Sequence, residues 1–253
     1  MKRLFALLTV LALLCCMLTA CSSSPQDLIK KADAVLLESP YTMTMKMEFD
    51  CDNADINKVL SAMNMEIPVT VDGKNIAMDL NMEVEGQTLK AKVTVADMVM
   101  YYDISVLNHS LKMKASMNDE QYQKFLEENN TEMMVNPEDF GKLSMETKDG
   151  KKVITCAEIG EDALKELNKT MEDALEVTGG KATVGQISYT VTLKDGKYES
   201  MDMACTYSVT VDSQTYNVSF KLGAKYTYGS TAKITAPADA DKYENVPFSD
   251  LMG

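Results

Sequence analysis

From Met43 to Cys51 every second residue is apolar: Met43, Met45, Met47, Phe49 and Cys51 alternate with Thr44, Lys46, Glu48 and Asp50. A period of two sends neighbouring side chains to opposite faces, so this stretch reads as a half-buried strand. The pattern recurs. Ile76, Met78, Leu80, Met82 and Val84 alternate, as do Leu89, Ala91, Val93 and Val95, then Leu111, Met113, Ala115 and Met117. Ile187 to Leu193, Met201 to Val211 and Val218 to Tyr226 repeat it near the other end. Met98 to Ile104 is apolar on both parities, which predicts a strand covered on both faces.

Turn residues punctuate these runs. Asp72-Gly73 suits a two-residue hairpin with φ above zero at both positions. That turn pairs Val69 with Ile76, Ile67 with Met78 and Met65 with Leu80. Asp149-Gly150 likewise pairs Met145 with Ile154 and Leu143 with Cys156. At Asp195-Gly196 a two-residue turn would set Val191 against Ser200. A three-residue loop with a bulge sets Val191 against Met201 and Tyr189 against Met203, so the odd loop is expected.

Helical spacing appears in four places. Ser24-Pro25-Gln26-Asp27 is a helix start, with Leu28, Ala32, Val35 and Leu36 on one stripe and Pro40 beyond its end. Ile56, Val59, Leu60 and Met63 predict a short amphipathic helix. Tyr122, Phe125 and Leu126 fall inward in a helix over 118–129. Leu164, Leu167, Met171, Ala174 and Leu175 share a stripe in a helix over 161–177, stopped by Gly179-Gly180. The sum is an α+β chain with a large antiparallel sheet of about ten or eleven strands. One face is polar; helices cover the other.

Residues 1–20 carry a different message. A cationic Met-Lys-Arg start precedes an apolar run too short to span a bilayer, and small residues follow. Leu18-Thr19-Ala20-Cys21 resembles the lipobox of bacterial lipoproteins. The resemblance implies cleavage before Cys21, a diacylglycerol thioether on it and a third acyl chain on the new amino terminus. Two or more acyl chains anchor stably. The expected product is held on the extracytoplasmic face of the cell membrane, with residues 21–24 as a lipidated terminus and short linker and 25–253 as one domain.

Charge limits the partners. The chain has 25 Lys plus Arg against 38 Asp plus Glu, a net charge of -13. Loss of Lys2 and Arg3 with the signal takes the balance to -15. Such a surface repels nucleic acid and anionic headgroups. Cys15 and Cys16 leave with the signal and Cys21 is the lipid site. Cys51, Cys156 and Cys205 remain, an odd number on apolar parities, which suits buried thiols better than a disulfide framework.

Motifs for chemistry do not emerge. His109 is the sole histidine, within a turn-like Leu-Asn-His-Ser. There is no Gly-x-Ser-x-Gly elbow, no His-Glu-x-x-His helix and no phosphate loop. Asp239-Ala-Asp241 begins like a calcium loop, but Glu244 stands where glycine is needed. The expectation is a protein that is not an enzyme, with no cofactor and no metal. Methionine is the oddity: 20 Met against six Phe and no Trp. Flexible thioethers are over-used on surfaces that adapt to varied apolar partners. A lid of helices over the sheet would leave a cavity for lipid or another apolar ligand. Its expected lining is Met43, Met45, Met47, Phe49, Met78, Leu80, Met82, Met113, Met201, Met203 and Tyr207. If the helices seal the face, the alternative is a structural or sensory envelope protein with a filled core that binds protein partners.

The order of elements is similar to the lipoprotein-carrier (LolA/LolB-like) superfamily and to related cell-surface lipoproteins of Gram-positive bacteria. The features that carry it are the lipobox, the capped helix, the long strand Tyr41 to Cys51, the hairpins, the helix near 160–178 and the closing Ile234-Thr235-Ala236-Pro237 with an acidic tail. The resemblance implies a curved half-barrel sheet whose apolar inner face holds lipid chains beneath helices. It places no ligand residue, and the Met-rich lining is this chain's own.

Overall fold

The computed structural model describes residues 24–84, 87–106, 109–125, 141–165, 168–169, 181–211, 214–229 and 233–249. The signal segment, Cys21, Leu126 and most of the helix expected over 161–177 lie outside the described residues.

Helix α1 (Pro25–Glu38) begins on a complete capping box. Ser24 Oγ accepts from the Asp27 amide at 3.1 Å, and the Ser24 amide donates to Asp27 Oδ2 at 3.3 Å. Its buried face is Ile29, Ala32 and Leu36. Ile29 thus takes the centre of the stripe, with Leu28 and Val35 at its flanks.

Chain order then gives β1 (Tyr41–Cys51), α2 (Ala54–Ser61), β2 (Met65–Asp72), β3 (Asn75–Val84), β4 (Gln87–Ala96), β5 (Val99–Val106) and β6 (His109–Ser116). After these come β7 (Leu143–Lys148), β8 (Lys151–Cys156), β9 (Lys181–Lys194), β10 (Lys197–Val211), β11 (Gln214–Tyr228) and β12 (Glu244–Asn245). They form one open, curved sheet in the order β12-β6-β5-β4-β3-β2-β1-β11-β10-β9-β8-β7. The fold class is α+β, as the alternation and hairpins require. β1 lies between two antiparallel meanders, pairing with β2 on one side and β11 on the other.

The registers correct two expectations. Across β2 and β3, Val69 faces Met78 and Val71 faces Ile76, not the pairs drawn from an Asp72-Gly73 loop. Asp72 pairs with Asn75, and Gly73-Lys74 forms the loop with Gly73 at φ 62. Positive φ at the first loop position alone is what a type II′ turn needs, and glycine supplies it. The slip is by two residues, so every side chain keeps its face. Between β9 and β10 the turn is a two-residue Asp195-Gly196 loop, at φ 52 and 75. The extra residue is a bulge between Tyr198 and Ser200, and it restores the expected pairs Val191–Met201 and Tyr189–Met203. The Asp149-Gly150 hairpin has the expected register, with Met145 opposite Ile154 and Leu143 opposite Cys156.

The inner face holds two clusters. Under α1, Ile29, Ala32 and Leu36 meet Tyr41, Met43, Ile67, Val69, Ile154, Cys156, Val191 and Ala224. Residues 119–125 are helical, and their Tyr122 and Phe125 close over Val95, Met100 and Met117. On the outer face the segment from Lys233 lies against β4–β6. Ile234 and Tyr243 are buried there, and the Tyr243 ring meets Tyr101 edge-on at 5.4 Å. Lys112 Nζ bridges Asp239 at 2.7 Å and Asp103 at 3.2 Å, and Lys114 Nζ donates to the Ala240 carbonyl at 2.7 Å. Tyr101 is buried by this segment while its neighbour Met100 is buried in the inner cluster, so β5 is covered on both faces as its parity predicts. β12 adds a parallel strand to the edge of β6, and Phe248 then packs back into the inner cluster.

Candidate ligand groove

β1 outruns β2. The β2 partner of Met47 is Met65, the first residue of β2, so the amides of Phe49 and Cys51 point where no strand lies. Such donors must be satisfied. Asn64 Oδ1 accepts from the Phe49 amide at 2.6 Å, and Asn57 Oδ1 accepts from the Cys51 amide at 3.0 Å. Asn53 caps α2 itself, accepting from the Asp55 and Ile56 amides at 3.1 Å each. Asparagines therefore staple α2 to the end of β1.

Polar stapling leaves the apolar stripe of α2 unspent. Ile56, Val59, Leu60 and Met63 share one side, yet no residue of α2 is buried, and Val59 is 66% exposed. The stripe leans over the last residues of β10 and the first of β11. Between them runs an open groove of about 450 Å³, lined by Ile56, Leu60, Tyr207, Val209, Gln214, Tyr216 and Val218. Just inside it Phe49 and Phe220 stack with ring centres 4.8 Å apart. A second bulge shapes the site. Tyr207 sits opposite Val184 because β9 carries an extra residue between Val184 and Ile187. At this bulge the backbone of Gly185 comes so close that an added Cβ would lie 3.0 Å from Thr206 Oγ1.

The polar groups of the groove are few. Burial pushes the Tyr207 phenol above its usual pKa, and its hydroxyl has no hydrogen-bond partner among the described residues. Tyr216 donates to Gln214 Oε1 at 2.5 Å, which leaves the Gln214 amide nitrogen free to donate. At the rim, Asn217 donates to both oxygens of Asp52, at 3.1 and 2.7 Å, and these bonds hold the carboxyl below its usual pKa.

The residues expected to line a cavity divide sharply. Met43 is 2% exposed and belongs to the core under α1. Met45, Met47, Met78, Leu80, Met201 and Met203 are half-buried around that core, and Met201 Sδ accepts from the Tyr226 hydroxyl at 3.0 Å. Met82 and Met113 are half-buried on β3 and β6. Tyr207 lines the groove, with Phe49 beside it. The remaining lining was missed as a site, although Ile56, Leu60 and Val218 stood out on their own elements. Two further hollows lie on the outer face. One of about 460 Å³ runs beneath residues 233–239, and one of about 250 Å³ lies between Lys46, Glu48 and Asp202; both have charged walls.

A second cluster of functional groups sits under α1. Tyr198 donates to Asp33, and Tyr41, Tyr189, Tyr226 and Tyr228 surround the pair. Burial raises the Asp33 carboxyl, and burial raises all five phenols. The arrangement fastens α1 to the start of β10.

Cys51 and Cys156 are buried, Cys205 is half-buried, and all are free thiols. Cys156 Sγ donates to the Glu158 carbonyl at 2.8 Å. Burial raises the Cys205 thiol, so it is a poor nucleophile at neutral pH. Mild reduction should therefore leave the melting temperature unchanged. A thiol reagent should label Cys205 slowly and the other two only on unfolding. A fall of several degrees on reduction would contradict this.

The fold and the groove define a class: an open α+β sheet with a helical cover over part of one apolar face and an uncovered apolar end. No protein-family model matches the chain, and no curated protein matches it. Among solved structures, the crystal structure of MucB in complex with MucA(peri) aligns with 83% of this chain and 100% of that chain. The identity is 9% and the TM-score 0.12, too low to carry any argument.

Proposed function

We propose that this protein is a lipid-anchored module on the extracytoplasmic face of the cell membrane that binds an apolar ligand in the groove under α2. It does so without catalysing a reaction. The observation that carries this reading is the uncovered stripe of α2 facing an apolar groove of about 450 Å³. Ligand sites are apolar clefts of roughly 300–1,000 Å³ with a few polar groups, and a monomer rarely leaves such surface open without use. The half-buried methionines inside the groove, Met45, Met47 and Met203, provide side chains that can repack as a chain enters. The lipobox supports the location. Cys21 lies three residues before Ser24, the cap of α1, so the tether reaches about 10 Å and keeps the domain against the bilayer.

Two measurements test this. Native mass spectrometry of the protein taken from its own membrane should show a bound apolar molecule besides the anchor; a ligand-free spectrum counts against the groove. Cys21→Ala should give an uncleaved or released chain. Normal processing and full partition of Cys21→Ala into detergent would overturn the anchor.

A further inference from the structure

The groove has walls of known chemistry, and they discriminate among ligands. Its lining contains no lysine or arginine. The α2 cation, Lys58, is two residues from both Ile56 and Leu60, so it falls on the opposite side of the helix. Lys181 and Lys221 pair with Thr210 and Glu48, residues of the outer parity, so both belong to the other face of the sheet. The charges at the rim are acidic: Asp52, fixed by Asn217, and Asp55 in the first turn of α2. Two uncommitted donors, the Tyr207 hydroxyl and the Gln214 amide, stand at the polar end.

We infer that the groove selects an uncharged single-chain lipid, one whose head offers an ester or amide carbonyl, over the fatty acid of the same chain length. This rests on the ligand reading above and deepens it. A carbonyl oxygen takes hydrogen bonds from Tyr207 and Gln214 and brings no charge into the apolar cleft. A carboxylate finds the same donors but loses its hydration with no cation to replace it, and it meets two carboxylates at the entrance. The high pKa of the Tyr207 phenol keeps that group a donor across the physiological range. One narrow groove, walled by a single helix and two strands, suits one chain rather than a diacyl lipid.

The test is competition at neutral pH between a fluorescent monoacylglycerol and the fatty acid with the same labelled chain. It uses the complete chain carrying Cys21→Ala, so that no anchor is present. The monoacylglycerol should bind about tenfold more tightly, a difference of about 1.4 kcal/mol. Tyr207→Phe should weaken the monoacylglycerol about two- to tenfold, as loss of one neutral hydrogen bond requires, and leave the fatty acid less affected. Val59 is exposed at the mouth, so Val59→Lys should fold normally and close the gap by strengthening the fatty acid. If the fatty acid binds as tightly as the monoacylglycerol, or Val59→Lys leaves the gap unchanged, the selectivity is wrong while the ligand groove stands. If neither probe binds, the ligand groove itself fails.

Discussion

Ile154→Ala should destabilise the protein by about 2–5 kcal/mol, and Met43→Ala by a similar amount. Ile154 is 1% exposed and lies on β8 between Met145 and Val191. Met43 is 2% exposed on central β1, between Val69 and Tyr226, with α1 above it. Truncation at either leaves a cavity that rigid strands on both sides cannot collapse to fill. Against a total of about 5–15 kcal/mol, either change removes a large share. Met82→Ala is the control. Met82 has the same parity but only half-burial near the end of β3, so its loss should cost about 1 kcal/mol or less. Urea denaturation of the three variants measures this. Equal midpoints for Met43→Ala and Met82→Ala would mean that α1 does not seal the face above Met43.

The second large effect is alkaline unfolding. Burial, then the carboxylate of Asp33, raises the Tyr198 phenol; burial foremost raises Tyr189 and Tyr226; and burial pushes Tyr41 up to about 12. An unfolded tyrosine titrates near 10. Stability from these phenols is therefore fully present below pH ~10 and is lost as pH rises toward and past 12. Each buried phenol that must stay protonated in the fold costs about 1.4 kcal/mol per pH unit above the unfolded value, so four together cost about 5–6 kcal/mol per unit. That matches the whole stability of an ordinary domain within one or two pH units. Tyrosinate absorbance and circular dichroism should then change together in one steep step between about pH 10 and 12. Tyr41, Tyr189, Tyr198 and Tyr226 titrating gradually in a folded protein would show that the cluster under α1 is open to water.

Sequence pattern reached some of this and stopped for physical reasons. The capping box at Ser24 and the faces of the strands are local properties, and both were legible. Parity gives a face but not a depth. Met43 and Met45 have the same parity, yet Met43 is core and Met45 is only half-buried, because burial depends on where α1 crosses the sheet. The Gly73 turn was misjudged because Asp72-Gly73 and Gly73-Lys74 differ only in which position takes positive φ, and both keep the apolar residues paired. β12 was missed because two residues have no period. Ile234 and Tyr243 read as isolated apolar residues in a polar tail, and only the fold shows that they meet Thr94 and Tyr101 across the outer face. The groove was half legible. The stripe of α2 is plain in the sequence, but its lack of burial follows from β1 outrunning β2, a difference in strand length that no local pattern records.

The most direct test of the account is where an apolar probe binds. Titration of a fluorescent monoacyl lipid should give one saturable site on the wild-type chain. Leu60→Glu, which puts a charge in the groove wall, should abolish it with circular dichroism unchanged, while Met82→Glu, outside the groove, should leave it intact. If Leu60→Glu binds the probe as the wild type does, or Met82→Glu alone loses it, the groove under α2 is not the ligand site.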